Sequence, residues 1–398
     1  MTEEVKHNQL IIKAPFLEKE QDKCYLKAEL VENGESRMMF FGVDSRYGAA
    51  LTHELADCFL VAVLPHAMIE SLDIVCEVPV SRHLLYSLKN RLIPELAGHT
   101  KRYHSIQIIA QPSDLKFSGN TAAGTGWSGG TDCLYTLIEM LKVQEPRHRL
   151  THFLNINAGV FEGSEANMQK EFQLNSDEAK KAAAEFGFDT LDLDTNIHLL
   201  FHENYLSVGP FRLCAGVLAL QKFFSVYYIS SAYEITTLSL NEANAFYYEY
   251  TICSCCRTQN LSFHEIGSEI TRLEKLNRIA EEPIAQRHLH VCVKSSVGNC
   301  LRCGKCVRTI AALYALEKLD CFYQVFDKER LENEMDEILG DTFFHRRSQH
   351  YKEALELMEK KGIPLSVRAK RHAAFLEAAG KAARMCKEKI LKEEKENA

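Results

Sequence analysis

The sequence predicts an α/β protein: a mostly parallel sheet with helices packed on both faces. Three observations carry this. From residue 113 onward, apolar strand-like runs alternate with helix-like runs, the pattern of strands joined by helical crossovers. A turn reading Ser128-Gly129-Gly130-Thr131-Asp132 opens one of those helical runs. Four cysteines crowd into residues 292–306, where short turns rather than regular elements are expected.

The elements fall into three parts. Residues 1–112 read as an N-terminal α+β domain, with "MMFFGVD" and "YHSIQIIAQ" as strands and "HELADCFLVAVLPHAMIES" and "RHLLYSLKNRLIPELAG" as helices. Gln111-Pro112-Ser113-Asp114 reads as a linker. Residues 113–310 form the alternating part. The helix "LYTLIEMLK" is followed by the strand "THFLNINAGV", the helix "DEAKKAAAEFG" and the stretch "TLDLDTN". The helix "FRLCAGVLALQKFF" and the strand "VYYISSA" come next. Residues 311–398 read as a charged helical region whose last ten residues are expected to be frayed.

Composition excludes several classes. The chain has 398 residues, 46% hydrophobic and 25% charged, ordinary values for a globular protein. A formal net charge of -7 gives no global basic signature for nucleic acid. The apolar segment "CFLVAVLPHAMI" falls short of the about 20 residues a membrane span needs. The N-terminus has no apolar core of signal-peptide length. Without an export signal, the 14 cysteines are expected as thiols or metal ligands, which places the chain in a reducing cytoplasm.

The glycine pair gives the turn its chemistry. Gly129 and Gly130 tolerate positive φ and let an anion approach the backbone. Backbone N–H groups in such a turn, with the start of the following helix, suit phosphate or pyrophosphate. Ser128 can add a hydroxyl donor. Asp132 is not suited to face a phosphate directly, so a bound cation is the expected reason for it. The turn lacks the lysine of a P-loop and the glycine spacing of a dinucleotide fingerprint. An ordinary tight strand-to-helix turn is the plain alternative.

Cys292, Cys300, Cys303 and Cys306 have C-x7-C-x2-C-x2-C spacing. Such knuckles converge four thiolates on one tetrahedral zinc. Gly298 and Gly304 suit the tight turns, and Lys294, Arg302, Lys305 and Arg308 would offset the negative charge. Four buried thiols or an iron–sulfur cluster are the other readings. Asn155 and Asn157 close the strand "THFLNINAGV", where nucleotides bind in open α/β sheets, and serve equally well as turn formers.

Ser128-Gly129-Gly130-Thr131-Asp132 resembles the pyrophosphate-binding loop of the PP-loop ATP pyrophosphatases. With the late cysteines and the arginine after them, residues 115–310 are similar to the 7-cyano-7-deazaguanine synthases and to larger PP-loop proteins. "VGPFRLCAGVLALQKFFSVYYISSA" matches with Arg212 at the family's helix arginine, and "GSEITRLEKL" matches with Glu269 and Arg272. Arg308 takes the place of the arginine that follows the last cysteine.

The resemblance implies a doubly wound sheet of the adenine nucleotide alpha hydrolase type. It implies ATP, magnesium and a structural zinc. The implied reaction adenylates a carboxylate-bearing substrate, releases pyrophosphate, and lets ammonia or an amine displace AMP. Asp132 and Arg212 would be catalytic. Ser128, Gly129, Gly130, Thr131, Asp132, Cys133 and Asn157 would bind the nucleotide. Arg212 can pair bidentately with a phosphate or carboxylate, and reads equally as a surface arginine at a helix end.

The family motif has Ser or Thr after the aspartate, and this chain has Cys133, a weaker hydrogen-bond donor. That departure supports a second reading, a catalytically weak nucleotide-binding module that acts through its terminal domains. Beside a helix start, Cys133 would also be open to oxidation. A third reading, a thiotransferase acting on nucleic acid, requires a reactive thiol among Cys253, Cys255 and Cys256. The flanking "FYYEYTI" reads instead as a buried strand. His288 and His290 could contribute to metal binding, but four cysteines already fill a tetrahedral site, so they read as packing or surface histidines. The C-terminal helices offer apolar positions for a protein partner, and self-association is left open.

Overall fold

The computed structural model describes residues 8–161, 163–295 and 298–396, with side chains as far as residue 382. The strands are β1 (Gln9–Ile12), β2 (Phe16–Glu20), β3 (Lys23–Glu32), β4 (Glu35–Asp44), β5 (Asp73–Cys76), β6 (Val80–Ser81), β7 (Ile108–Ile109), β8 (Pro112–Ser113), β9 (Ala122–Thr125), β10 (His152–Asn157), β11 (Asp189–Thr195), β12 (Phe224–Ser230) and β13 (Ser262–Ile266). One large mixed sheet runs in the order β13-β12-β9-β10-β11-β4-β3-β1-β5-β7, with β2 paired to β3 off this path. The run from β13 to β11 is parallel throughout, as is β1-β5-β7. Antiparallel pairings join β11 to β4, β4 to β3 and β3 to β1.

The local sequence accounts for these strands. β3 alternates, burying Cys24, Leu26, Ala28 and Leu30, and β4 buries Met39, Phe41 and Val43. Asn33 and Gly34 join them, both at positive φ (52° and 85°), and fix Glu32 opposite Glu35. β12 is buried on both faces from Phe224 to Ile229, as a strand inside a covered parallel sheet requires.

The chain divides into two compact units. The first comprises the residues up to Ser128 and Thr136–Thr271, and contains the sheet. Its central helix, Asp57–Glu70, is apolar nearly all round and packs against the helix Tyr205–Leu218. Asp57, fully buried at its start, accepts from the Ser81 N–H (2.8 Å), the Ser81 hydroxyl (2.5 Å) and the Gln221 amide (2.8 Å). Burial pushes its carboxyl above the ordinary range despite these donors.

The second unit comprises Gly129–Tyr135 and the chain from Arg272 on. Its helices include Arg272–Ile279, Pro283–His288, Gly304–Ala315, Lys328–Phe344, Gln349–Lys360 and Val367–Glu396. Lys328–Phe344 and Val367–Glu396 meet closely at Gly340, where a β-carbon would stand 2.8 Å from the Ala369 carbonyl.

Several expectations change. The compact units do not follow boundaries at 112 and 310, because β4 pairs with β11 and joins both stretches in one sheet. The expected linker is structured. Pro112 and Ser113 pair with Val80 and Ser81, and Asp114 accepts two hydrogen bonds from Arg82 (2.8 and 2.7 Å). "FYYEYTI" is not a strand: Ala245–Tyr248 and Glu249–Cys255 are helical turns, and the strand of this region is β13. "YHSIQIIAQ" yields only the two-residue β7. The last ten residues, expected to be frayed, are helical as far as Glu396, and residues 397–398 lie outside the described residues. Among the described residues, no helix is long and apolar enough to cross a membrane.

Candidate functional site

The four cysteines converge. Their sulfurs all lie within 4.8 Å of one another, with Cys300–Cys306 and Cys292–Cys303 each 4.0 Å apart. Four thiolates at about 2.3 Å from a tetrahedral ion stand about 3.8 Å apart, so the cluster could hold a metal such as zinc. The turns are built for it. Gly298 has φ +77°, and Leu301, fully buried, takes the left-handed position inside the Cys300–Cys303 knuckle at φ +66°. The N–H of Lys294 donates to the Cys292 sulfur (3.4 Å), and that of Cys303 to the Cys300 sulfur (3.3 Å). Burial raises the Cys300 thiol, but the N–H groups of Arg302 and Cys303 and the adjacent thiols bring it down to about 7. Cys303 caps the helix Gly304–Ala315, whose first turn carries Cys306. Of the basic residues expected to offset the cluster, Arg302 faces Glu334 (3.1 Å) and Glu337 (3.8 Å) instead.

The glycine pair is tied to the backbone that leads into this cluster. Gly129 has φ +65°, and a β-carbon there would stand 2.9 Å from the His288 carbonyl. The His290 N–H donates to the Gly129 carbonyl (2.8 Å). Gly130 follows, its carbonyl accepting from the Leu134 N–H (2.9 Å) as the helix Thr131–Leu141 begins. Gly129 is thus fixed by close packing as well as by conformation. Gly129→Ala is expected to lower stability by about 1–3 kcal/mol, read as a fall in the thermal midpoint. An unchanged midpoint would show that the 288–290 backbone yields easily.

Asp132, in the first turn of that helix, faces two protein cations. Arg272 donates to one carboxylate oxygen, and the Lys275 ammonium lies 3.3 Å from the other. Arg278 donates to the Tyr135 hydroxyl (3.2 Å). The three basic residues stand three apart on one face of Arg272–Ile279, so a single helix face grips a single helix start. The carboxylate that suggested a bound cation therefore has counter-charges of its own.

Beside this pair lies a small, partly open recess. Thr131, Arg272, Arg308, His350 and Glu353 supply its polar lining, with apolar walls from Leu273, Leu276 and Ala312. The surrounding protein and the charges of Arg308 and Arg272 hold the Lys305 amine below its ordinary value. The same burial and the same two arginines push the His350 imidazole down to about 4, so it is neutral at pH 7. Four cations, Arg272, Lys275, Lys305 and Arg308, thus gather against two carboxylates, Asp132 and Glu353, at a helix N-terminus. Such a field suits an anion.

The other expected residues are placed as follows. Ser128 is exposed, Thr131 is 1% exposed and Cys133 is 5% exposed. Arg212 is buried, not a surface residue. It donates to the carbonyls of Ala158 (3.2 Å), Phe201 (2.8 Å) and Glu203 (3.1 Å). It also begins a chain of polar contacts, Arg212–Glu203–His66–Glu32–Arg37, with His66 lying 3.4 Å from Glu203 and 3.2 Å from Glu32. These contacts make Arg212 a brace for the chain beyond β10.

Asn155 and Asn157 are strand residues, not turn formers. Each lies opposite an aspartate of β11 and donates to it, Asn155 to Asp192 (2.8 Å) and Asn157 to Asp194 (2.9 Å). The amide oxygen of Asn157, at the strand's C-terminal end, is buried and accepts no hydrogen bond from the described residues.

Cys253, Cys255 and Cys256 are fully buried. The neighbouring Cys214 thiol lowers the pKa of Cys253, yet burial and the charges of Glu265 and Glu249 carry it to about 12. Burial pushes Cys255 up to about 11. Both shifts run opposite to what activates a thiol for transfer chemistry.

Comparison with known proteins yields no matching family model, no matching curated protein and no matching solved structure. Sequence reasoning singled out Arg272 and Arg308 and read His290 as a packing or surface histidine, but missed Lys275, Asn299 and His350. His290 faces the carbonyls of Ser295 (2.9 Å) and Gly298 (3.2 Å). The Asn299 amide donates to Leu289 (2.9 Å) and Val325 (3.2 Å), so both residues shape the cysteine loop. The Arg272-x-x-Lys275-x-x-Arg278 spacing was a visible signal for Lys275. His350 had none, because it sits in what reads as an ordinary charged helix.

Proposed function

We propose that this protein is an ATP-dependent enzyme of PP-loop type that adenylates a carboxylate-bearing substrate and releases pyrophosphate. The observation that carries the reading is that Arg272 and Arg308 line the recess beside the glycine-pair helix, with the Lys275 ammonium on Asp132 and Lys305 in the field of the same two arginines. The strand order β13-β12-β9-β10-β11 supports it, since the chain reverses direction across the sheet at β9. A reversal of this kind is the mark of a doubly wound sheet, the fold that the PP-loop resemblance implies.

In this reading the substrate carboxylate attacks the α-phosphorus. The bond to the bridging oxygen breaks, and charge grows on the leaving pyrophosphate. Arg308, Lys305 and the N–H groups at the helix start stabilise that charge. Asp132 holds Arg272 and Lys275 in place for the same task. An amine then displaces AMP and gives up a proton. Magnesium would accompany the polyphosphate. Zinc in the four-cysteine cluster would serve structure, keeping the 288–290 backbone against Gly129.

The test is pyrophosphate release from ATP and magnesium over a panel of carboxylates and amine donors, native chain against Arg308→Gln. A fall of about 100-fold or more is expected, the scale of losing one charge-stabilising donor. Equal release by both chains would overturn the assignment of Arg308. Failure of the native chain to bind ATP would overturn the reading itself. Two observations favour the nucleotide-binding module as second reading: Cys133 is buried where the family has a hydroxyl, and Asp132 is already neutralised by protein cations. That reading predicts ATP binding without pyrophosphate release on any member of the panel.

A further inference from the structure

The contacts that run from Arg212 to Arg37 set one imidazole between two carboxylates. His66, on the helix Asp57–Glu70, has its Nε2 3.2 Å from a Glu32 oxygen at the end of β3. Its Nδ1 is 3.4 Å from a Glu203 oxygen in the chain after β11. The three side chains are 17%, 15% and 12% exposed, and all belong to the first compact unit.

We propose that His66 is an imidazolium that donates from both ring nitrogens, and that it acts as a pH-operated clasp on residues 197–204, closed near neutral pH and released as the pH rises. The inference does not depend on the reading of the chain as an enzyme.

The geometry carries it. A neutral imidazole has one N–H and one lone pair, so it serves one carboxylate and turns a lone pair on the other. The imidazolium donates to both. The groups around the ring come from several elements. From β3, Glu32 shares one oxygen between His66 and Arg37 of β4. From the chain after β11, Glu203 faces the ring, and Phe201 lies against it with ring centres 4.7 Å apart. From the helix Tyr205–Leu218, Arg212 stands 3.9 Å from the other Glu203 oxygen. On His66's own helix, Glu70 is exposed. β1 and β5 also pack on this helix. β1 has no titratable side chain, and on β5 Asp73 accepts from the Gln107 N–H while Cys76 lies in the field of Asp57. Burial alone would lower the ring's pKa, but the hydrogen bond to Glu203 and the charge of Glu32 raise it above the ordinary value.

Loss of the proton acts on one side more than the other. Glu32 keeps Arg37. Glu203 is left with Arg212 at 3.9 Å, and that guanidinium already donates to the carbonyls of Ala158, Phe201 and Glu203. A largely buried carboxylate that has lost its near cation is driven toward water. Residues 201–204 move with it, and the Phe201 and Glu203 carbonyls leave Arg212. The folded chain holds the proton more tightly than the open one. The clasp is therefore at full strength below about pH 6.5 and is lost as the pH rises through the raised folded value.

The experiment uses the full chain with nitrogen-15 histidine. The His66 ring signals are assigned by their loss in His66→Gln and followed by NMR from pH 6 to 9. Both ring nitrogens should carry protons at pH 7, with a midpoint above about 6.5. Glu203→Gln, which keeps an oxygen acceptor without the charge, should lower that midpoint. Hydrogen exchange of peptides spanning 197–204, corrected for the intrinsic pH dependence of exchange, should lose protection through the same midpoint. The loss should be about tenfold for each unit by which the midpoint exceeds 6.5. His66→Arg, a cation that does not titrate in this range, should make the protection independent of pH.

A ring with a single protonated nitrogen at pH 7, or a midpoint that Glu203→Gln leaves in place, would overturn the charge assignment. A ring that titrates as expected while the 197–204 peptides keep constant protection would overturn the clasp. Should His66→Gln fail to fold, the ring whose midpoint moves in Glu203→Gln identifies the signal.

Discussion

Cys303→Ser is expected to abolish metal binding and to loosen the whole helical unit. Native protein purified under reducing conditions with zinc should carry one equivalent, and the variant close to none. Structural zinc contributes apparent binding energies of about 10–16 kcal/mol in small finger domains, so removing one of four ligands forfeits several kcal/mol here. Cys303 is well placed to show this. It is 3% exposed, caps the helix Gly304–Ala315, and its sulfur is 4.0 Å from that of Cys292. Losing the metal should also free the 288–290 backbone that holds Gly129, so proteolysis is expected near residues 290–300 as the thermal midpoint falls. Metal-free native protein with the same midpoint in the presence of a strong chelator would mean that the cysteines are only packed thiols.

Asp132→Ala is expected to cost about 3 kcal/mol of stability in addition to any effect on activity. Lys275 is 2% exposed and Arg272 about a fifth exposed, and both face this carboxylate. Taking one member from a largely buried charge group leaves like charges crowded together, which costs more than the attraction alone. Asp132→Asn keeps an oxygen acceptor of the same shape and should lose less. Chemical denaturation of the three chains measures both differences. Alanine and asparagine variants as stable as the native chain would show that Arg272 and Lys275 are well served without Asp132. This matters for enzymology, because an inactive Asp132→Ala would not separate chemistry from folding. Arg308→Gln is the cleaner probe.

The sequence made the periodic parts legible and left the conditional ones hidden. The parallel strands β10, β11 and β12 follow from alternating apolar strands and helices, and the cysteine cluster from spacing alone; β9 and β13 were not read from the sequence. The Asn33-Gly34 turn between two alternating runs is also readable in the sequence. The domain boundary at 112 failed because Pro and Gly punctuation marks turns, and cannot tell a turn inside a sheet from a turn between domains. "FYYEYTI" failed because aromatic and β-branched residues suit any buried element, and tertiary packing made this one helical. Arg212 lies in the middle of the helix Tyr205–Leu218, not at a helix end. Its burial against three carbonyls depends on loops that no periodicity describes. His350 shows the limit most clearly, since its setting is assembled from helices far apart in the chain.

The antiparallel seam between β4 and β11 has a consequence for how the protein is made. β4 ends at Asp44 and β11 begins at Asp189, so synthesis must add about 145 residues before the seam can close, roughly 7–30 s at ordinary elongation rates. Throughout that interval the N-terminal strands present an open edge rich in aromatic and branched residues, the kind of edge that recruits other chains. A message cut short between codons 113 and 188 would leave that edge open for good. Its product would be a burden on chaperones, not a free-standing N-terminal domain.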